Sequence, residues 1–231
     1  MYWLFLFAFI CLCWWIRNPK YESYESYESK IRMYCINLPR HKERRDHFYK
    51  HYDEMVHQVP LTLVEAVDAK KHKNSELFMN WPGLSNRDVH HNYKGLALSM
   101  RKCMMQAKKD GVEWAIICED DAKLPSSIIF SNIQQKFDES TVVYMDSRNR
   151  GGKGVVPGCC MNCVMYHRSV LDYFIRELHP STSIHLQEYV RGGRSALNDW
   201  FIPWLIKKAG IKCSSHPIVG GHDFKSTLKE S

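Results

Sequence analysis

Three consecutive carboxylates, Glu119, Asp120 and Asp121, follow directly on the apolar run 114–118 (WAIIC). Like charges this close repel, and their ionised forms need a compensating cation. A hard divalent ion, Mn²⁺ or Mg²⁺, supplies one and prefers oxygen ligands. An acidic turn capping the next helix would have the same composition. A second cluster lies at 36–45 (INLPRHKERR), where Arg40, Arg44 and Arg45 fall at the change from a strand-like to a helical pattern. Helix N-termini and guanidinium groups suit phosphate, while a basic solvated helix is the plainer reading. Cys160, Cys163 and His167 have the spacing that opens a zinc site, but only Cys213 comes later to complete it. They sit in an apolar run, where cysteines behave as small hydrophobes.

The elements that must position these groups alternate. Residues 31–38 (IRMYCINL) read as a strand ending at Pro39, and 40–51 as a helix. A second strand is expected over 61–67, ending at Asp68, then a loop-rich stretch to 94 that holds Pro82 and Gly83. Leu96, Met100, Cys103, Met104 and Ala107 share one face of a helix over 95–109, stopped by Gly111. The run 112–118, apolar but for Glu113, predicts a central buried strand. Pro125 opens a short helix to 137, and 141–145 is a strand ending at Asp146. Next come a glycine-rich loop over 151–158, a strand over 159–166 and a helix over 169–178. A helix over 198–209, stopped by Gly210, leads to a last short strand at 211–213 and a polar tail. Strands alternating with helices predict an α/β fold with a mostly parallel sheet, whose ligands bind at the carboxyl ends of strands. Asp68 and Asp146 stand at two such ends, placed either to meet a ligand or to cap the next segment.

The chain of 231 residues is 45% hydrophobic, 25% charged and 13% aromatic. That suits one packed domain and excludes disorder, collagen-like repeats and a multi-span membrane protein. The net charge is +7, and residues 17–110 hold 18 basic against 12 acidic groups. An anionic, phosphate-bearing ligand handled in the first half would account for the imbalance. No nucleic-acid motif accompanies it, so nucleic acid is not an expected partner. Nine cysteines, several inside apolar runs, do not form a disulfide framework, though one bridge is open to them.

Residues 1–16 (MYWLFLFAFICLCWWI) carry no charge. They read as an uncleaved signal-anchor that makes the protein single-pass, because a cleavable signal would need small residues at the cut and usually a basic start. A cleaved signal and a helix packed on the domain are the alternatives. Arg17 and Lys20 on the C-terminal flank favour a cytoplasmic domain. Residues 17–30, with Tyr-Glu-Ser three times over, form a spacer. The globular domain is expected over 31–231.

These pieces together resemble glycosyltransferase family 25, the lipooligosaccharide and procollagen galactosyltransferases. Ile36-Asn37-Leu38 with Arg40, Glu43 and Arg44 is similar to that family's first strand and loop. Residues 65–68 (EAVD) resemble its second strand end, and 95–99 (GLALS) the helix before its acidic motif. Glu119-Asp120-Asp121 stands where the family has Glu-Asp-Asp, with the Asp-x-Asp spacing of nucleotide-sugar transferases. Asn198-Asp199-Trp200 resembles a later acid of the family, and 216–219 (HPIV) with Ser226 its closing segment. Tyr93 and Met100 replace the family's usual glutamate and histidine, Pro39 an acid and Ala69 a glycine.

The resemblance implies a single GT-A type, Rossmann-like domain that transfers a hexose, galactose foremost. The donor is a nucleoside-diphosphate sugar, and the acceptor a hydroxyl of a glycan, glycolipid or glycoprotein. Inversion in one displacement needs a general base; Asp199 is the candidate, or else a plain acid at a helix start. Mn²⁺ or Mg²⁺ is expected on Glu119 and Asp121, with His222 completing the shell and His216 in reserve. Asn37, Arg40, Arg44, Asp68 and Asp120 are the expected donor-binding residues. The expected location is the secretory pathway, endoplasmic reticulum or Golgi-like, or its viral or bacterial equivalent. The altered residues at 93 and 100 motivate one alternative, an inactive relative that binds nucleotide sugar or glycan without turnover.

Overall fold

The computed structural model describes residues 30–56, 59–72, 74–79, 81, 88–126, 139–146, 152–153, 162–191 and 198–220. Its strands are β1 (Ile31–Asn37), β2 (Leu61–Glu65), β3 (Trp114–Glu119), β4 (Val142–Asp146), β5 (Gly152–Lys153), β6 (Cys163–His167) and β7 (Cys213–Val219). Its helices are α1 (Lys42–Asp53), α2 (Ala69–His72), α3 (Glu76–Met79), α4 (Asp88–Asp110), α5 (Arg168–Glu177), α6 (Leu186–Arg191) and α7 (Asn198–Ala209).

The strands form one sheet in the order β2-β1-β3-β6-β4-β7-β5. β1 pairs parallel to β2 and β3, and β4 parallel to β7. β6 runs antiparallel between β3 and β4, and β5 lies antiparallel along the outer side of β7. Five strands therefore share one direction, so the expected mostly parallel α/β sheet is found, with β6 reversed at its centre. Side chains alternate between two apolar layers, as strand geometry requires. Met33, Cys35, Ile116, Cys118 and Met165 pack with Phe48 of α1 on one face. Tyr34, Ile36, Ala115, Ile117 and Tyr166 pack with residues of α4, α5 and α7 on the other.

Gly111 and Gly210 end α4 and α7 with φ of 69° and 63°. The Val112 and Ile211 amides reach back to the Ala107 and Ile206 carbonyls, the closing bond of a left-handed helix cap. The stops read from the sequence have this cause. The loop expected over 69–94 instead contains α2, α3 and the first turns of α4. The helix expected from Pro125 to 137 lies largely outside the described residues, as does most of the glycine-rich segment.

The single-pass membrane location is corrected. Among the described residues, no helix is long and apolar enough to cross a membrane. α4 has the length, but it carries Lys94, Arg101, Lys102, Lys108 and Lys109, and such charges are costly in hydrocarbon. Residues 1–16, on which the expectation rested, lie outside the described residues; as a helix they would span about 24 Å against a bilayer core of about 30 Å.

Two neighbours near the start of α4 show what the fold demands there. A Cβ on Gly95 would stand 2.7 Å from the Val67 carbonyl oxygen. Gly95→Ala is expected to push α4 from the end of β2 and cost about 1–3 kcal/mol, read as a lower urea midpoint with an unchanged slope. Lys94 is fully buried, and its Nζ donates to the Phe78 carbonyl at 2.7 Å. Burial lowers its pKa from the ordinary 10.5. Between the lowered value and 10.5 the folded chain holds a neutral amine and the unfolded chain a charged one. Unfolding then takes up a proton, so stability rises with pH across that window. Lys94→Met is expected to melt a few degrees higher at pH 7, since desolvating a charge costs more than one hydrogen bond returns. The gain should shrink toward pH 10; an equal gain at both pH values would refute this account.

Candidate active site

β1 and β3 lie side by side and end together, which brings Asn37 and the acidic triplet to one rim of the sheet. After β3 the chain turns: the Ala122 amide donates to the Glu119 carbonyl at 3.1 Å. Glu119 is half-buried, while Asp120 and Asp121 are buried. After β1, the His41 amide donates to the Leu38 carbonyl at 2.8 Å, and this turn folds α1 back along the sheet. Arg44, in its first turn, then lies against the acids. One guanidinium nitrogen, Nη2, is 2.9 Å from Asp120 Oδ1 and 2.5 Å from Asp121 Oδ2. Asn37 Nδ2 donates to Asp120 Oδ2 at 2.7 Å. Both oxygens of Asp120 therefore meet protein donors.

The electrostatics follow from burial. Desolvation pushes the Asp120 carboxyl up, and the Arg44 charge and the Asn37 hydrogen bond pull against it without cancelling it. The side chains of Arg44, Asp120 and Asp121 are only 12%, 8% and 2% exposed, so the pairing is not a surface contact diluted by solvent.

Arg40 is more open, at 41% exposure, and pairs with Asp68. Asp68 Oδ1 accepts from the Lys70 amide at 3.0 Å, and its carbonyl accepts from the Lys71 and His72 amides. Asp68 thus caps α2, one of the two roles its position in the sequence suggests, while its other oxygen faces Arg40. The segments 65–68 and 95–99 prove to be one junction. Ser99 Oγ donates to the Gly95 carbonyl at 2.7 Å and accepts from the Val67 amide at 2.8 Å. Met100, where the family pattern has a histidine, is buried in the core behind it.

Asp146 ends β4 fully buried. Asn162, just before β6, is 3% exposed, and its carbonyl accepts from the Glu119 amide at 2.8 Å. Sequence reasoning misses Asn162, because nothing in 160–163 announces that β6 runs backwards and starts at this rim. Lys123 and Gly220 bond to each other in both directions, at 3.3 and 2.8 Å. The chain thus leaves β7 beside Lys123, two residues past Asp121. His222 lies outside the described residues. Asp199 is the second residue of α7, and Pro203 cannot donate to its backbone carbonyl as a helical residue would. His216 lies in β7.

Among the described residues, no group of three or more His, Cys, Asp or Glu side chains is arranged to hold a metal ion. The donor chemistry still suits a hard divalent ion, since Glu119 and Asp121 offer carboxylate oxygens at a strand end. Of the cysteine cluster, Cys163 is buried in β6 with its Sγ 3.0 Å from that of Cys118.

The family model described as glycosyltransferase family 25 (LPS biosynthesis protein) matches residues 30–150, just over half of the chain. The chain belongs to glycosyltransferase family 25. The matched stretch contains Asn37, Arg40, Arg44, Asp68 and the whole triplet of this family 25 protein; Asp199 and His222 lie beyond it. No curated protein matches the sequence. Solved structures similar to it include a glycosyltransferase involved in the glycosylation of the major capsid of PBCV-1, at 11% identity over 81% of each chain with a TM-score of 0.44. A197 from STIV is similar at 11% identity over 85% of this chain and 86% of that one, with a TM-score of 0.47. Mouse xyloside xylosyltransferase 1 in its apo form is similar at 10% identity over 84% of each chain, with a TM-score of 0.43. As a member of family 25, the protein is a glycosyltransferase.

Proposed function

We propose that this family 25 glycosyltransferase moves a hexose, galactose foremost, from a nucleoside-diphosphate sugar to a hydroxyl of a glycan, glycolipid or glycoprotein. The observation that carries the reading is the acidic turn at the joint end of β1 and β3, held in place by Arg44 and Asn37. A strand end of this kind is where α/β sheets bind ligands.

Glu119 and Asp121 would hold a divalent ion, with His222 from the closing segment as a third ligand. When bound, the ion neutralises charge on the departing nucleoside diphosphate. Arg40, half-exposed at the same rim, meets the donor phosphates, and Asp68 orients its guanidinium. Asn37 and Asp120 fix the turn, so that Asp121 keeps its position as charge develops. Asp199 accepts the proton of the acceptor hydroxyl while that oxygen attacks the anomeric carbon from the face opposite the leaving diphosphate, so the configuration inverts.

The test is donor hydrolysis by the full chain against a panel of UDP- and GDP-sugars, with Mn²⁺ and with EDTA. Slow release of one nucleotide is expected with Mn²⁺, and at least about tenfold less with EDTA, given the charge a metal takes up on the leaving group. Donor binding without release from any sugar would instead favour a relative that binds without turnover.

A further inference from the structure

Cys118 and Cys163 stand opposite each other across the β3–β6 ladder. Their Sγ atoms are 3.0 Å apart and both residues are buried. The Glu119 amide donates to the Asn162 carbonyl. In an antiparallel ladder, a bond from the residue after one partner to the residue before the other marks a non-hydrogen-bonded pair. Such pairs bring their Cα atoms to about 4.5 Å, inside the range of about 4.4–6.8 Å that a disulfide spans. Cys35 and Cys213 are placed differently, their thiols lying against the Ile36 and Ser214 carbonyls.

We infer that Cys118 and Cys163 form a cross-strand disulfide when the chain meets a low-molecular-weight disulfide, and that this bond pins the strand end carrying the acidic turn. The exchange has two displacements. The thiolate of one cysteine attacks the small disulfide, giving a mixed disulfide and releasing one small thiolate. The second cysteine, as its thiolate, attacks the protein sulfur of that mixed disulfide, closing the Cys118–Cys163 bond and releasing the other small thiolate. The two thiol protons end on the two released thiols, and two electrons pass from the protein to the oxidant.

Both thiols are buried, out of reach of an oxidant in solution. The native pair therefore reacts slowly, and the bond forms during folding or when the β3–β6 ladder opens locally. It closes a loop across 45 positions, and a loop of that length removes substantial entropy from the unfolded chain. The consequence falls one residue from Glu119, whose own amide is already tied to the residue before β6.

The test is to hold the full-length chain with oxidised glutathione, both folded and while refolding from urea. Free thiols are then blocked and the protein is digested with trypsin without reduction. Cys118 is carried on peptide 110–123 and Cys163 on peptide 154–168. Because Cys159 and Cys160 share the second peptide, the assignment is made in a chain carrying Cys159→Ser and Cys160→Ser. The expected result is a linked pair of peptides, lighter by two hydrogens than the two together. A melting temperature several degrees above that of the reduced chain should accompany it. Dithiothreitol should reverse both, and Cys163→Ala should show neither. Cys118→Ala provides the same control should alanine at 163 fail to fold. Absence of the linked peptides under both regimes, or linkage of Cys118 to Cys159 or Cys160 in the unsubstituted chain, overturns the inference.

Discussion

Replacing Asp121 by Asn is expected to cut the rate of sugar transfer by about 10²–10³-fold, the usual cost of removing one preorganised charge-stabilising group, while leaving a folded chain. Asn keeps the shape of the buried side chain and removes its charge. Arg44 loses a contact at 2.5 Å but retains Asp120 at 2.9 Å. One charge-assisted hydrogen bond contributes about 1.5–3 kcal/mol, and a domain holds about 5–15 kcal/mol, so the fold survives the loss. Asp120→Asn should behave in the opposite way. Both Asp120 oxygens meet protein donors, and an amide there sets an N–H group against either Asn37 or Arg44. Its cost falls mainly on stability. The decisive comparison is turnover and Mn²⁺ affinity beside urea unfolding for the two variants. If Asp121→Asn kept its rate, or if Asp120→Asn lost rate without losing stability, the division of labour between the two acids would be wrong.

The rim of this site is legible because it is written in short, consecutive pieces. A buried strand running into three acids, and a strand running into an arginine-rich helix, each announce where a chain turns at the edge of a sheet. Glycines at 111 and 210 announce their helix ends because a left-handed residue is required there. The pairing itself is not legible. The sequence presents Arg44 as a cation for donor phosphates, yet it lies on Asp120 and Asp121, more than seventy positions further along the chain. That contact depends on how α1 packs beside β3, which no local pattern encodes. β7 extends beyond its sequence signal for a related reason. Residues 214–217 (SSHP) look like the start of a polar tail, but Ser214 is buried, with its hydroxyl 2.6 Å from that of Ser140. A strand that buries serines reads as a loop when its partner is distant in sequence. The reversal of β6 is hidden too, since an apolar run has the same composition in either direction.

Arg44→Met is expected to be the most damaging change to the fold among the site residues. The guanidinium lies between two buried carboxylates. Removing one member of a buried ion pair costs about 3–5 kcal/mol, because the remaining charge is left uncompensated. For a chain of this size that lowers the melting temperature by on the order of 10 °C. The loss should depend on pH. The Asp120 carboxyl is already raised above its ordinary value of 3.8, with burial the largest influence and Arg44 the main one opposing it. A raised acid contributes most stability below its unfolded value and loses it as pH climbs through its folded value. Without Arg44 the carboxyl rises further, so the penalty reaches full size only above that higher value. The deficit of Arg44→Met against the parent chain should therefore be largest near pH 7.5 and narrow toward pH 5. Arg44→Lys keeps a charge but not the planar fork that can meet two acids at once, so it should fall between the two. Urea unfolding of all three proteins at both pH values gives the answer. A methionine variant as stable as the parent at pH 7.5 would mean that the acids are balanced by another group, and that Arg44 is after all available to serve the donor.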